Sequence, residues 1–224
     1  MSIPSLASYP MPRAHADNRV DWRPDRRRAA LLIHDMQEYF LGKYDVAQSP
    51  IPELVDAIVR LRERCDELDI PVFYTAQPPV QPPADRALLN DFWGPGLTAP
   101  GEQAGAGIVP ALAPRPRDVV LTKWRYSAFQ RSDLRARLER LGRDQLIITG
   151  VYAHIGCLAT ALEAFMLDIQ AFLAIDACAD FSPQDHDMAV RHVARRCGVS
   201  LTADQILDAL SQDALDSATR EIPA

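Results

Sequence analysis

Nowhere in the 224 residues does an apolar run approach the roughly 18 that a bilayer-crossing helix needs, so no such span and no membrane partner is expected. The opening stretch MSIPSLASYPMPRAHADN has neither the basic start nor the continuous apolar core of a secretory leader. Cysteine is sparse: Cys65, Cys157, Cys178 and Cys197 stand far apart, with no C-x-x-C pair and no metal-type Cys/His spacing. Free thiols in a chain of this length fit a reducing compartment, so a cytoplasmic location without disulfides or metal is expected. Positive charge is also in deficit. A formal net charge of −6 and a pI near 5.3 argue against nucleic acid as a partner. The one basic cluster, RPDRRR at 23–28, reads as a solvated lead-in to the first strand. Nucleotide-binding glycines are missing as well. Gly94 and Gly96 in WGPG do not sit between a strand and a helix, no P-loop sequence occurs, and the strand end HDMQ at 34–37 has no glycine for a phosphate. No cofactor is expected.

What is present is an alternation of strand and helix. RAALLIHD (28–35) is an almost continuous apolar run, as in a strand buried on both faces. Residues 51–69 place Leu54, Ile58, Leu61, Cys65 and Leu68 on one helical face, with Pro50 and Pro52 suited to its first turn. Strands follow at 71–76 and 118–123. Ser132 can cap a helix bearing Leu134, Leu138 and Leu141, which Gly142 ends. A fourth strand is expected at 145–151, then a helix over 156–169 packing Leu158, Leu162, Phe165 and Ile169, and a fifth strand at 171–177. A helix at 184–196, a short strand near 198–201 and a last helix after Thr202 complete the pattern. The fold class is therefore α/β, a single three-layer domain with a mostly parallel sheet wound on both sides. No repeat or internal boundary is evident. The domain is assigned to 1–210, and the polar residues 211–224 to a tail or linker.

Ligands of such sheets gather beyond the carboxyl ends of the strands. That rule selects Asp35, Gln77, Lys123 and the turn GVYAHIGC at 150–157. Alone, Asp35 reads equally as a turn cap and Lys123 as a surface lysine. Two opposite charges at one sheet edge, with Gln77 and the turn, make a convergent polar set in an apolar wall, as small-molecule sites do. The Pro- and Gly-rich connection 77–116 is too long for a plain loop, and a short helix covering the site is expected in it.

The segments ALLIHDMQEYF, YTAQP, DRALLNDFWGPGL, LTKWRYSAF, LIITGVYAHIGCL and DIQAFLAIDACADFS, in this order, resemble the isochorismatases of the cysteine-hydrolase superfamily. The likeness runs from about residue 3 to about residue 209, and is greatest to the enterobactin-pathway isochorismatase domain. The phenazine-pathway enzyme acting on 2-amino-2-deoxyisochorismate comes second. The resemblance implies a six-stranded parallel sheet, a homodimer, and hydrolysis of the enolpyruvyl vinyl ether of isochorismate, or of its 2-amino analogue, with release of pyruvate. It places Gly156 where thiol-dependent members carry their nucleophile, and so implies packing rather than catalysis for Cys157. It also implies that Gln77, Arg86, Trp93, Tyr152 and Gly156 bind substrate. Protonation of the vinyl ether at carbon is the hard step, and it falls to Asp35 as general acid, assisted by Lys123. Lys123 is expected to engage chiefly a substrate carboxylate or the ether oxygen. His34 is read as orienting Asp35 or filling a polar niche, and His154 as satisfying the turn. Phe92 and Trp93 read equally as packing and as stacking residues.

Two rivals belong to other classes. A thiol amidase using Asp35, Lys123 and Cys157 would need a register shift in the turn. A non-catalytic scaffold is suggested by ALDS at 214–217, which echoes the attachment site of an aryl carrier domain. Too few residues follow Ser217 for a carrier bundle, so the echo reads as chance; a separate aryl carrier protein is a partner to consider on the resemblance alone.

Overall fold

The structure, a computed structural model, describes residues 3–12 and 17–220, and side chains as far as residue 211. Six strands form one parallel sheet: β1 (Ala29–His34), β2 (Val72–Ala76), β3 (Val119–Thr122), β4 (Gln145–Val151), β5 (Gln170–Ala179) and β6 (Gly198–Leu201). Their order is β3-β2-β1-β4-β5-β6, so the winding direction reverses between β1 and β4. The helices are α1 (Glu38–Leu41), α2 (Ile51–Glu67), α3 (Pro83–Arg86), α4 (Leu89–Trp93), α5 (Leu134–Arg140), α6 (Leu158–Met166), α7 (Pro183–Arg196) and α8 (Ala203–Arg220).

The period-two alternation of β1 explains the two layers. Leu31 and Ile33 pack with α2 residues Leu54, Ile58 and Leu61 and with Ile206 and Leu210 of α8. Ala30 and Leu32 face the other way, onto Leu134 and Leu138 of α5, Ala161 of α6 and Val193 of α7. Parallel neighbours on both sides and helices above and below leave β1 and β4 fully buried, which is why they read as unbroken apolar runs.

Three expectations need correction. Leu141, placed on one face with Leu134 and Leu138, lies just past the end of α5 and is 52% exposed. The large apolar residues of α6 do not form its buried face: Leu162 is 40% and Phe165 48% exposed. Thr160, Ala161 and Ala164 face the sheet instead, because small side chains let the helix approach closely. Ile169 is buried, but it lies beyond the helix, ahead of β5. The stretch 211–220, read as tail, continues α8; residues 221–224 and the side chains of ALDS lie outside those described. The connection 77–116 holds α3, α4 and three short 3-10 turns, wrapped over the carboxyl edge of the sheet.

Candidate active site

The register of the sheet brings the two candidate charges to one edge. His34 pairs with Thr75 and Ala76 with Thr122, so Asp35 and Lys123 each begin just where their strands stop. Asp35 adopts φ 50°, a left-handed conformation that aspartate tolerates better than most residues. Its amide donates to the Thr75 hydroxyl at 3.1 Å, and that hydroxyl donates back to Oδ1 at 2.5 Å. Lys123 extends from β3, two strands away and about 9.5 Å at the backbone. Its Nζ crosses the end of β2 to donate to Asp35 Oδ2 at 2.9 Å. Lys123 is therefore bound to the acid itself. Both residues are 5% exposed, so this is a buried pair whose desolvation cost is offset by short, well-placed bonds.

His34 lies beneath them, fully buried. Its Nδ1 is 3.0 Å from the Val151 carbonyl and 3.4 Å from Asp35 Oδ2, and since both neighbours accept, Nδ1 carries the proton. Burial first, and the nearby Lys123 charge second, push its pKa down to about 4, so the imidazole is neutral at pH 7. Nε2 is left bare, with no hydrogen-bond partner among the described residues.

The turn after β4 is a single π-helical turn, Ala153–Cys157, leading into α6. A Cβ added to Gly156 would lie 2.1 Å from His34 Cε1, so packing alone requires glycine. Cys157 points into the core, its Sγ 3.8 Å from the Thr149 carbonyl, and burial drives its thiol well above the usual range. A thiol so placed is not a nucleophile.

A cavity opens over this floor, and Asp35, Lys123, Gln77, Arg86, Trp93, Tyr152 and Gly156 all line it. Arg86 ends α3 and is 3% exposed; Nε donates to the Gly94 carbonyl at 2.7 Å, and among the described residues no carboxylate lies within ion-pair distance. Burial lowers its pKa. Gly96, with φ 54°, lets it through, since a Cβ there would stand 2.5 Å from Nη2. A buried guanidinium without an acidic partner, facing a cavity, suits a carboxylate ligand. Gln77 is held by Gln37, whose side chain accepts from the Gln77 amide at 2.7 Å and donates to the Gln77 and Ala106 carbonyls at 2.9 and 2.7 Å. Tyr152 faces the cavity with its ring, its hydroxyl being committed to the Phe40 carbonyl at 3.2 Å. Trp93 donates from Nε1 to the Tyr126 hydroxyl at 2.8 Å, tying α4 to the segment after β3, while Phe92 is 64% exposed and packs on nothing in the core.

Several residues escaped the sequence reading. Thr75 is the penultimate residue of β2 and looked like any β-branched strand residue. Arg125, Tyr39 and Phe181 line the cavity from within the segments LTKWRYSAF, ALLIHDMQEYF and DIQAFLAIDACADFS, where nothing local singled them out. Phe181 meets Tyr152, His154 and Trp93 edge-on, at centroid distances of 4.7, 5.3 and 6.0 Å. His154 satisfies its turn by pairing with buried Asp180. Burial pulls its pKa down, but the hydrogen bond to Asp180 together with the charges of Asp180 and Asp185 outweighs it, and the net direction is up.

The comparisons agree with this fold. The family model described as the isochorismatase domain matches residues 29–205. The isochorismatase of Bacillus subtilis is 52% identical over 96% of this chain and 69% of its own length. Enterobactin synthase component B of Escherichia coli is 50% identical over 93% of this chain and 73% of its own. The phenazine biosynthesis protein PhzD1 of Pseudomonas aeruginosa is 46% identical over 92% of this chain and 99% of its own. Among solved structures, a cysteine hydrolase from Pseudomonas syringae pv. phaseolicola superposes with a TM-score of 0.78 at 21% identity, covering 87% of this chain and 97% of that one. With a six-stranded parallel sheet, a buried carboxylate–ammonium pair at its edge and relatives this similar, the chain belongs to the isochorismatase family.

Proposed function

We propose that the protein hydrolyses isochorismate to pyruvate and 2,3-dihydro-2,3-dihydroxybenzoate through general-acid protonation of carbon by Asp35. The observation that carries this reading is the buried Asp35–Lys123 pair set over a glycine floor, an acid–base apparatus beside which the neighbouring thiol is turned into the core. The Thr75 hydroxyl holds Oδ1, which leaves Oδ2 as the oxygen that carries the proton. Arg86 takes one substrate carboxylate in its fork. The other anionic or ether oxygen draws Lys123 off Oδ2, and loss of that bond favours the protonated acid.

The transfer runs from Asp35 Oδ2 to the terminal CH₂ of the enolpyruvyl group, whose π pair forms the new C–H bond. The ether oxygen delocalises the resulting cation. Water adds to the cationic carbon that bears the ether oxygen and gives up a proton to the Asp35 carboxylate. The hemiketal then collapses: its hydroxyl gives up a proton, the C–O bond to the ring breaks, and the ring oxygen takes up a proton and leaves as a hydroxyl, which releases pyruvate. No covalent enzyme intermediate is involved. The apolar rings of Phe40, Tyr152 and Phe181 limit water around the cation to what the cavity admits. In this reading the enzyme is a cytoplasmic homodimer acting on a small molecule, with a separate aryl carrier protein as a further partner.

The test is pyruvate release from isochorismate and from 2-amino-2-deoxyisochorismate, side by side, with wild type and Asp35→Asn. Wild type should prefer isochorismate by about tenfold in kcat/KM, within the range that one polar contact can supply. Asp35→Asn should lose on the order of 10²–10⁴ in kcat. A preference for the amino compound keeps the mechanism and changes the substrate. An asparagine variant with most of its turnover sinks the acid role.

A further inference from the structure

The segment 3–12 precedes the matched family region and has no regular secondary structure, yet it is not a loose end. Leu6, Tyr9 and Met11 are buried. The Leu6 amide donates to the Lys43 carbonyl at 2.7 Å and the Tyr9 amide to the Ser49 carbonyl at 3.1 Å. The Met11 amide donates to Ser49 Oγ, also at 3.1 Å. Pro4, Pro10 and Pro12 restrict the backbone on either side of these anchors. The arm is thus laced along the segment that follows α1, and its first described residue, Ile3, lines the substrate cavity.

Tyr9 reaches further. His186 Nε2 is 2.9 Å from the Ile175 carbonyl, which can only accept, so Nε2 holds the proton and Nδ1 is an acceptor. The Tyr9 hydroxyl, 3.0 Å from Nδ1, therefore donates to His186, and it accepts from the Asp180 amide at 2.7 Å. Asp180 is fully buried and bonds the amides of His154 and Phe181 at 2.6 and 2.8 Å. Those two residues belong to the turn that carries Gly156 and to the aromatic wall of the cavity.

We propose that the arm is a working part of the active site: Ile3 supplies a wall that contacts substrate, and Tyr9 is a positioning residue that fixes Asp180, and through it Phe181 and the 153–157 turn. The proposal rests on the hydrolase reading of the same cavity. It makes the residues ahead of β1 determinants of substrate affinity.

The experiment uses the full chain with Ile3→Ala and Tyr9→Phe, and Ile206→Ala as a control that disturbs the core beneath α2 and α8. Steady-state pyruvate release on isochorismate is measured well below each melting temperature. Ile3→Ala should raise KM about tenfold with kcat within about twofold, the signature of lost apolar contact in a pocket. Tyr9→Phe should lower kcat/KM about tenfold, since two buried partners are left unsatisfied. Ile206→Ala should melt earlier and keep its KM. Amide hydrogen exchange on Tyr9→Phe gives a readout independent of substrate: exchange at 153–157 and 180–181 should accelerate relative to wild type. Wild-type kinetics in both arm variants, or a KM shift in Ile206→Ala of the same size, overturns the proposal. If wild type released no pyruvate at all, the hydrolase reading would fail by itself. The exchange of 153–157 and 180–181 would still decide the positioning role, unchanged rates counting against it.

Discussion

Replacing Gly156 by alanine should damage this protein far more than one methyl group ordinarily does, and the reason lies in His34. The new Cβ would stand 2.1 Å from Cε1, 2.8 Å from Nε2 and 2.9 Å from Nδ1. Ordinary carbon contacts begin near 3.5 Å, so the ring would have to retreat by about 1.4 Å. It has nowhere to go: the side chain is fully buried, Nδ1 is tied to the Val151 carbonyl at 3.0 Å, and its backbone is paired to β2 and β4 on either side. Overpacking usually costs about 1–3 kcal/mol, and with both partners fixed the upper end applies. In a chain of this size that is a fall in melting temperature of roughly 6–12 °C. Displacement of the turn by the same ångström should also cost about a hundredfold in kcat/KM. Thermal melts and pyruvate release on Gly156→Ala, His34→Ala and the double variant test this. The double variant should be no less stable than His34→Ala alone, because the collision is gone. A Gly156→Ala protein that melts and turns over like wild type refutes the packing argument, and so does a double variant showing the summed losses of the two singles.

Thr75→Val keeps the shape and β-branching that a buried strand wants, but deletes the 2.5 Å bond to Asp35 Oδ1. A charge-assisted bond of about 1.5–3 kcal/mol corresponds to a loss of roughly 10- to 100-fold in kcat, read in the pyruvate assay; an unchanged kcat would mean Thr75 does not orient the acid. Cys157→Ala should stay within about threefold of wild-type activity, an order-of-magnitude bound set by its lack of contact with the cavity, and iodoacetamide should not inactivate the native protein. Rapid alkylative inactivation would return attention to a thiol mechanism. Stability should depend on acid through His34. Its folded pKa of about 4 lies below the ordinary 6.5, so the unfolded chain takes up a proton that the folded one refuses. The contribution is complete above pH 6.5 and is lost as pH falls towards 4, on the order of 3 kcal/mol in all. His186, lowered chiefly by burial, acts in the same direction, whereas His154, raised by Asp180, contributes below the unfolded value and loses it as pH rises. Urea unfolding of wild type and His34→Asn between pH 4.5 and 8 should show the acid slope reduced in the variant; identical slopes would remove His34 as its source.

Much of the fold was legible because strands buried on both faces write themselves as apolar runs. The expected strand at 145–151 coincides with β4, and that at 198–201 with β6. The strand-end rule then gives the address of Asp35 and Lys123, since their positions follow from where β1 and β3 stop. Helix α6 was misread for a physical reason. Periodicity reveals that one stripe is apolar, but not whether large or small residues meet the sheet, and here alanines and a threonine do.

The unread part of the site has one common feature: it consists of pairs between elements far apart in sequence. Gly156 needs His34, 122 positions earlier, to explain why it is glycine, and nothing in GVYAHIGC points to an imidazole underneath. Asp35 needs Thr75 from the neighbouring strand, and Phe181 needs Asp180 anchored by Tyr9 of the arm. A motif therefore specifies a backbone location and a side chain, while the charge state and the room available to that side chain belong to its partner. That is why Cys157 invites a catalytic reading on the page and loses it in space. One residue of advance along the turn puts its sulfur in the core and not in the cavity, and the position before it is held closed by a histidine from another strand.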